Sequence, residues 1–191
     1  MSLIPAFEIG LWNGWILILP SLLIFYGLSR LIVSKEATLF IWPQYTKKER
    51  VFLSILTVCM FSPLIYSIFL PLKLNTAWFY AGFAIYLVGM IFVITAQFNF
   101  AMTPPDKPVT KGIYRISRNP IDFGFSLISI SIGIACASWV VLIVTMALMI
   151  LMRAEEVVEE RMCLERFGNA YKEYMDRTPK WIGIPKSEEN N

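Results

Sequence analysis

The stretch VTKGIYRISRNPIDFG, residues 109–124, is polar and broken by glycine and proline, yet it lies between long apolar runs. Irregular backbone is not tolerated against lipid, because each unpaired N–H or C=O costs several kcal/mol in hydrocarbon. The wider segment 103–120 holds four prolines and Gly112, so it belongs at a membrane surface or around a polar cavity. Asn99, Lys111, Tyr114, Arg118, Asn119 and Asp122 supply donors, acceptors and an aromatic face within this short span. On spacing alone, an ordinary surface loop and one half of a site are both open.

The flanking runs set the class. The chain is 57% hydrophobic, 15% aromatic and 16% charged, against roughly 45–50% apolar in soluble domains, and reads as one membrane-embedded domain. About 20 apolar residues cross a bilayer. Residues 11–33, 51–70 and 77–97 meet that length, and 11–98 reads as a three-helix scaffold, with Pro63 placed to kink its second helix. No Lys or Arg precedes the first run, so it reads as an anchor and not a signal peptide. Residues 121–135 and 140–152, joined by a tight turn at 136–139, are shorter and read as a helical hairpin. Ser129, Gly133 and Ala137 are spaced to let its arms approach.

The expected fold is therefore an all-α integral membrane protein with five transmembrane helices, the last two a hairpin, and a cytoplasmic C-terminal helix. Sixteen of the seventeen Lys and Arg residues fall on one side of this five-span arrangement. That places the N-terminus outside and the C-terminus in the cytoplasm. The net charge of +3 follows from this topology and is no argument for nucleic acid. The bilayer itself is the expected partner, and the oligomeric state is left open.

Residues 153–177 are charged but helical in period. Val157, Leu164 and Tyr171 form one heptad series and Glu160, Phe167 and Tyr174 a second, with a break expected near Gly168. Glu155, Glu156, Glu159 and Glu160 repel one another along the helix, and the plain reading is a solvated face knitted by Arg153, Arg161 and Arg166. Glu160 shares the apolar stripe and needs an inward partner, with Arg153 on the same face. The chain has no histidine, which excludes histidine bases and histidine metal sites. Cys59, Cys136 and Cys163 are spaced for neither a disulfide framework nor a zinc site, and no metal is expected. Residues 186–191 read as a polar tail.

Two blocks carry a resemblance. VTKGIYRISRNPIDFG resembles the V-T-x-G-x-Y-x-x-x-R-(H/N)-P-x-Y-x-G signature of isoprenylcysteine carboxyl methyltransferases and the related phospholipid N-methyltransferases. EERMCLERFGNAYKEYMDRTPKWIG resembles their second block, E-E-x-x-x-L-x-x-F-G-x-x-Y-x-x-Y-x-x-x-x-P. Asn119 stands where eukaryotic carboxyl methyltransferases have His and where Asn is common in prokaryotic relatives, and Asp122 stands where Tyr is usual.

The resemblance implies a membrane enzyme using S-adenosyl-L-methionine and releasing S-adenosyl-L-homocysteine, with residues 99–185 binding cofactor and substrate. By position, Lys111, Gly112, Ile113 and Tyr114 would surround the cofactor, with Asn119, Pro120 and Gly124 beside them. Arg153 and Glu159 or Glu160 would face the methyl acceptor. In-line methyl transfer asks for alignment and exclusion of water, which a chain without histidine can provide. A carboxylate acceptor, as in a prenylated cysteine or similar lipid-like substrate, would be oriented by Arg153 or Arg118. An amine acceptor, as in an aminophospholipid, would need a proton acceptor, with Glu159 the candidate. A non-catalytic membrane protein, with both blocks as structural loops, is the alternative from another class.

Overall fold

The computed structural model describes residues 8–32 and 45–184. Most of the expected polar connection 34–50, including Lys35, and the tail 186–191 lie outside the described residues. Among those described the chain is helical, with no strand: α1 (Trp15–Ile32), α2 (Lys47–Ser67), α3 (Ala77–Ala101), α4 (Pro120–Ala135), α5 (Trp139–Phe167) and α6 (Asn169–Arg177), plus a 3-10 turn at Gly112–Arg115.

Three helices, α1, α2 and α3, are long and apolar enough to cross a membrane. The hairpin arms expected to make a fourth and fifth span fall short. Helix α4 has 16 residues, and α5, with 29 residues, meets its first charge at Arg153. Exposed Leu, Ile, Val and Phe side chains cover α1 to α3, as on Leu23, Ile55 and Ile91, a surface suited to lipid.

One end of the bundle is tied by backbone. The Gly14 N–H donates to the Leu70 carbonyl at 3.0 Å, the Leu72 N–H to the Trp12 carbonyl at 2.9 Å, and the Lys73 N–H to the Ala135 carbonyl at 2.9 Å. The start of α1, the α2–α3 turn and the α4–α5 turn therefore share that end. The turn itself is tight: Ala137 takes φ 52°, and the Ser138 hydroxyl caps α5 by accepting from the Val141 N–H at 3.4 Å.

The closest helix contact is α3 on α4. A Cβ on Gly89 would stand 2.9 Å from the Gly124 carbonyl oxygen, and one on Gly124 3.0 Å from the Gly89 carbonyl oxygen. Small residues let backbones approach where lipid offers no hydrophobic drive for association. Around this seam Tyr86, Met90, Val93, Ile128 and Ile132 form the main core. Gly133 serves the hairpin as its spacing predicts, since a Cβ there would meet Leu142 at 2.7 Å.

Helix α5 buries Val141, Thr145, Leu148, Met152 and Glu156. These positions follow one stripe at the 3.6-residue period, and the stripe carries past the apolar part into the charged part. The expected heptad face is corrected at its first member, because Val157 is exposed while Leu164 and Tyr171 pack inward. The break falls at Gly168, with φ 54°, and α6 turns back over the polar stretch.

Candidate active site

The polar stretch is folded onto the ends of α3 and α6. Gly112 takes φ 61°, and a Cβ there would collide with the Asn99 amide. Only glycine fits this conformation at this distance. Asn99 Oδ1 in turn accepts the Ile113 N–H at 2.8 Å. Tyr114 is buried with Ala96, Tyr171 and Tyr174, and the Tyr174 hydroxyl donates to the Tyr114 carbonyl at 2.7 Å. Burial raises the Tyr114 phenol above its ordinary pKa, so it packs as a neutral ring.

Beyond α6 the chain returns as a strap, residues 178–184. The Arg118 N–H donates to the Pro179 carbonyl at 3.1 Å, and the Gly183 N–H to the Ile116 carbonyl at 3.0 Å. The strap closes a narrow crevice lined by Asn119, Asp122, Phe123, Ser126, Met152, Glu156 and Trp181. At its centre is Glu156, 2% exposed. Trp181 Nε1 donates to Glu156 Oε2 at 3.3 Å, and Lys180 Nζ lies 3.3 Å from the same oxygen.

Lys180 Nζ also donates to Glu160 Oε2 at 3.4 Å. On the far side of Glu160, Arg118 Nη2 stands 3.3 Å from Oε1, with both side chains nearly buried, an ion pair without hydrogen-bond alignment. Glu160 thus finds its inward partners in Arg118 and Lys180. Arg153, expected on its face, instead lies over the Trp181 ring at 5.4 Å from the centroid. Arg118 Nε and Nη1 and Asn119 Nδ2 are buried donors without a hydrogen-bond partner among the described residues. Unpaired buried donors are costly, and here they mark a place that suits an acceptor-bearing ligand.

Glu159 is exposed, with Asp122, Glu155, Glu156 and Glu160 as its electrostatic neighbours. Desolvation by the surrounding protein, then the like charges of Asp122, Glu155, Glu156 and Glu160, push its carboxyl up to about 8. Its exposed surface admits solvent that weakens the effect, and the upward direction is what bears on chemistry. Glu155 is raised as well, by burial and by Glu156.

A second groove opens toward the membrane between α2, α4 and α5, lined by Met60, Pro63, Phe125, Ser126, Ser129, Thr145, Leu148, Met149 and Met152. Ser126 and Met152 line both spaces.

The residues singled out from sequence divide. Asn119 lines the crevice, and Arg118 pairs with Glu160, which shares Lys180 with the crevice residue Glu156. Glu159 is exposed. Arg153 is exposed and acts on Trp181. Lys111 and Gly112 lie at the surface, Ile113 is fastened through its N–H, Pro120 starts α4, and Gly124 is spent on the α3 seam. Phe123 presents a ring to the crevice and packs on Phe92 at 5.0 Å. Sequence reasoning passed over Glu156, Lys180 and Trp181. The signal for Glu156 is the stripe Val141, Thr145, Leu148, Met152, which reaches it at helical spacing; Lys180 and Trp181 carry no local signal.

Comparison with known proteins adds one result. The family model for phospholipid methyltransferase matches residues 72–170, just over half of the 191 residues. No curated protein and no solved structure matches the chain. The matched span runs from the start of the α3 region through the polar stretch and the whole of α5, and so takes in Arg118, Asn119, Glu156, Glu159 and Glu160. With this match over half of its length and apolar helices long enough to span a membrane, the chain belongs to the phospholipid methyltransferase family and is a membrane methyltransferase.

Proposed function

We propose that this protein transfers a methyl group from S-adenosylmethionine to the amino group of a membrane lipid, an aminophospholipid in the first instance. The observation that carries this reading is the charge of the crevice. Asp122 and Glu156 line it with Glu160 close by, and the nearby cations Arg118 and Lys180 are already engaged by Glu156 and Glu160 while Arg153 covers Trp181. An ammonium group is welcome in such a site, and an added carboxylate meets repulsion. The apolar groove that shares Ser126 and Met152 with it gives a lipid chain a place nearby.

When bound, S-adenosylmethionine supplies an electrophilic methyl group on a sulfonium. The residues present suit that cofactor: the unpartnered donors of Arg118 and Asn119 match ribose oxygens, and the rings of Phe123 and Trp181 favour a cation. An amine attacks only as the free base, so a proton must leave it. Glu159, raised toward the working pH, is the acceptor for that proton. The strap and Met152 keep water from the crevice, which strengthens each of these interactions.

Methylation of a prenylated cysteine carboxylate is the second reading, favoured by the two unpartnered Arg118 donors. We further assign the polar end of the bundle to the cytoplasmic face and the hairpin α4–α5 to the membrane as its fourth and fifth crossings, supported by the charge distribution. The decisive assay offers methyl-labelled S-adenosylmethionine to protein in nanodiscs, with phosphatidylethanolamine or a prenylated cysteine as acceptor. Label in N-methylated phosphatidylethanolamine is expected. Label in a base-labile ester alone would replace the amine reading with the carboxylate one.

A further inference from the structure

We infer that Glu156 is the seat for the acceptor's ammonium group, and that Lys180 is a built-in occupant of that seat which a primary or secondary amine headgroup displaces. This rests on the amine reading above and adds where the amine binds and what it must replace.

Three observations carry it. First, Glu156 lies at the centre of the crevice with 2% exposure, and a carboxylate so placed requires a compensating cation. Second, the compensating cation comes from the strap: Lys180 Nζ sits 3.3 Å from Glu156 and 3.4 Å from Glu160, and a lysine ammonium is a chemical likeness of an ethanolamine ammonium, with three donors on a flexible stem. Third, Asn119 Nδ2 lines the same crevice without a partner, beside the unpartnered Nε and Nη1 of Arg118. The crevice therefore holds donors that await an acceptor together with a carboxylate already matched to an ammonium.

Among the described residues the strap is also held by Arg153 lying over the Trp181 ring. Two backbone hydrogen bonds, at Pro179 and Gly183, fix it to the polar stretch, and Lys180 keeps 29% of its side chain exposed. Lifting the strap by itself would strip a buried carboxylate of its cation. Lifting it while another ammonium enters leaves the charge of Glu156 compensated throughout, so exchange of one ammonium for another is the low-cost way to open the crevice. Trp181, whose indole donates to Glu156, moves with Lys180 and reports the exchange. A carboxylate acceptor brings no cation and leaves the strap closed.

The test uses the full chain in detergent micelles with short-chain phosphatidylethanolamine, without cofactor. Binding is read as the fluorescence difference between wild type and W181F, and strap release as tryptic cleavage after Lys180 in wild type. Phosphatidylethanolamine is expected to raise cleavage roughly tenfold, since cleavage follows the population of the open form. An N-acetylated prenylcysteine, which carries a carboxylate and no ammonium, should leave cleavage unchanged. K180M, which keeps the stem and removes the competitor, should bind phosphatidylethanolamine about tenfold more tightly, and E156Q about tenfold more weakly, each near the loss of one charge-assisted contact. The lipid should also restore the melting temperature that K180M loses. If E156Q does not fold, K180M and wild-type cleavage still decide. Equal affinity in K180M and wild type, or cleavage indifferent to the lipid, overturns the inference. Methyl transfer to phosphatidylethanolamine with no strap release would overturn this seat alone; strap release with no methyl transfer to any lipid amine would overturn the amine reaction alone.

Discussion

Helices α3 and α4 meet through bare backbone, with Gly89 and Gly124 each facing the other's carbonyl, and nothing along that seam carries charge. The end of α5 meets its strap in the opposite way. There a carboxylate 2% exposed is matched by one lysine and one indole, and two backbone hydrogen bonds hold the strap to the polar stretch. A seam fixed by shape has one arrangement, because any displacement opens voids that lipid or water fills poorly. A seam fixed by charge can be opened by any ligand that brings the same charge. The molecule thus combines a rigid pair that positions the polar stretch with a terminal segment able to exchange.

The comparison breaks first at the rigid seam. G89L drives a side chain into the Gly124 backbone and should cost about 3 kcal/mol or more; loss of a monodisperse peak in detergent and of the thermal transition checks it. An unaltered transition would mean that α3 and α4 are not so closely seated.

The charged seam should respond differently to one substitution and to two. K180M alone leaves Glu156 buried without its cation and should destabilise by about 2 kcal/mol, less than for fully buried pairs because Lys180 is partly exposed. The double variant E156L/K180M should regain most of that, read as melting temperatures of the four members of the cycle. Strict additivity would dissolve the pairing.

Between the two seams lies the contact of α6 with the polar stretch. Y174F removes the hydroxyl that donates to the Tyr114 carbonyl at 2.7 Å and should cost about 1 kcal/mol. Calorimetry detects that loss, and a change within error would leave ring packing as the sole hold.

The smallest effect is one of pH, because Glu159 is exposed and solvent screens most of its shift. Glu159 is raised from the ordinary carboxylate range to about 8, so the folded state binds its proton more tightly than the unfolded state does. That stabilisation is full below the unfolded pKa and is lost as pH rises toward 8. Melting temperature should decline across this window, and E159Q should flatten the decline. An unchanged slope in E159Q would move the titration to another group.

Much of this was legible in the residues. The apolar runs announced α1, α2 and α3, the Ala137 turn announced the hairpin, and the break at Gly168 fell where the pattern placed it. The membrane count was less legible, because the α5 run is interrupted at Arg153 while its helix continues to Phe167. The site was half legible. Arg118, Asn119 and Glu160 stand in a charged block of obvious chemistry, whereas Glu156 looked like one of four similar glutamates until the stripe through Met152 was followed. Gly89 gave no sign of its contact, since a glycine in an apolar helix can face lipid as readily as another helix.

By itself, then, the sequence determined a helical membrane protein with its polar chemistry gathered in two blocks, because hydropathy and helical period act over neighbouring residues. Only the tertiary structure decided which cation meets which carboxylate. Arg118 and Lys180 reach Glu160 from 42 positions before it and 20 after it, and the electrostatics of a crevice depends on distance in space, which no local pattern encodes.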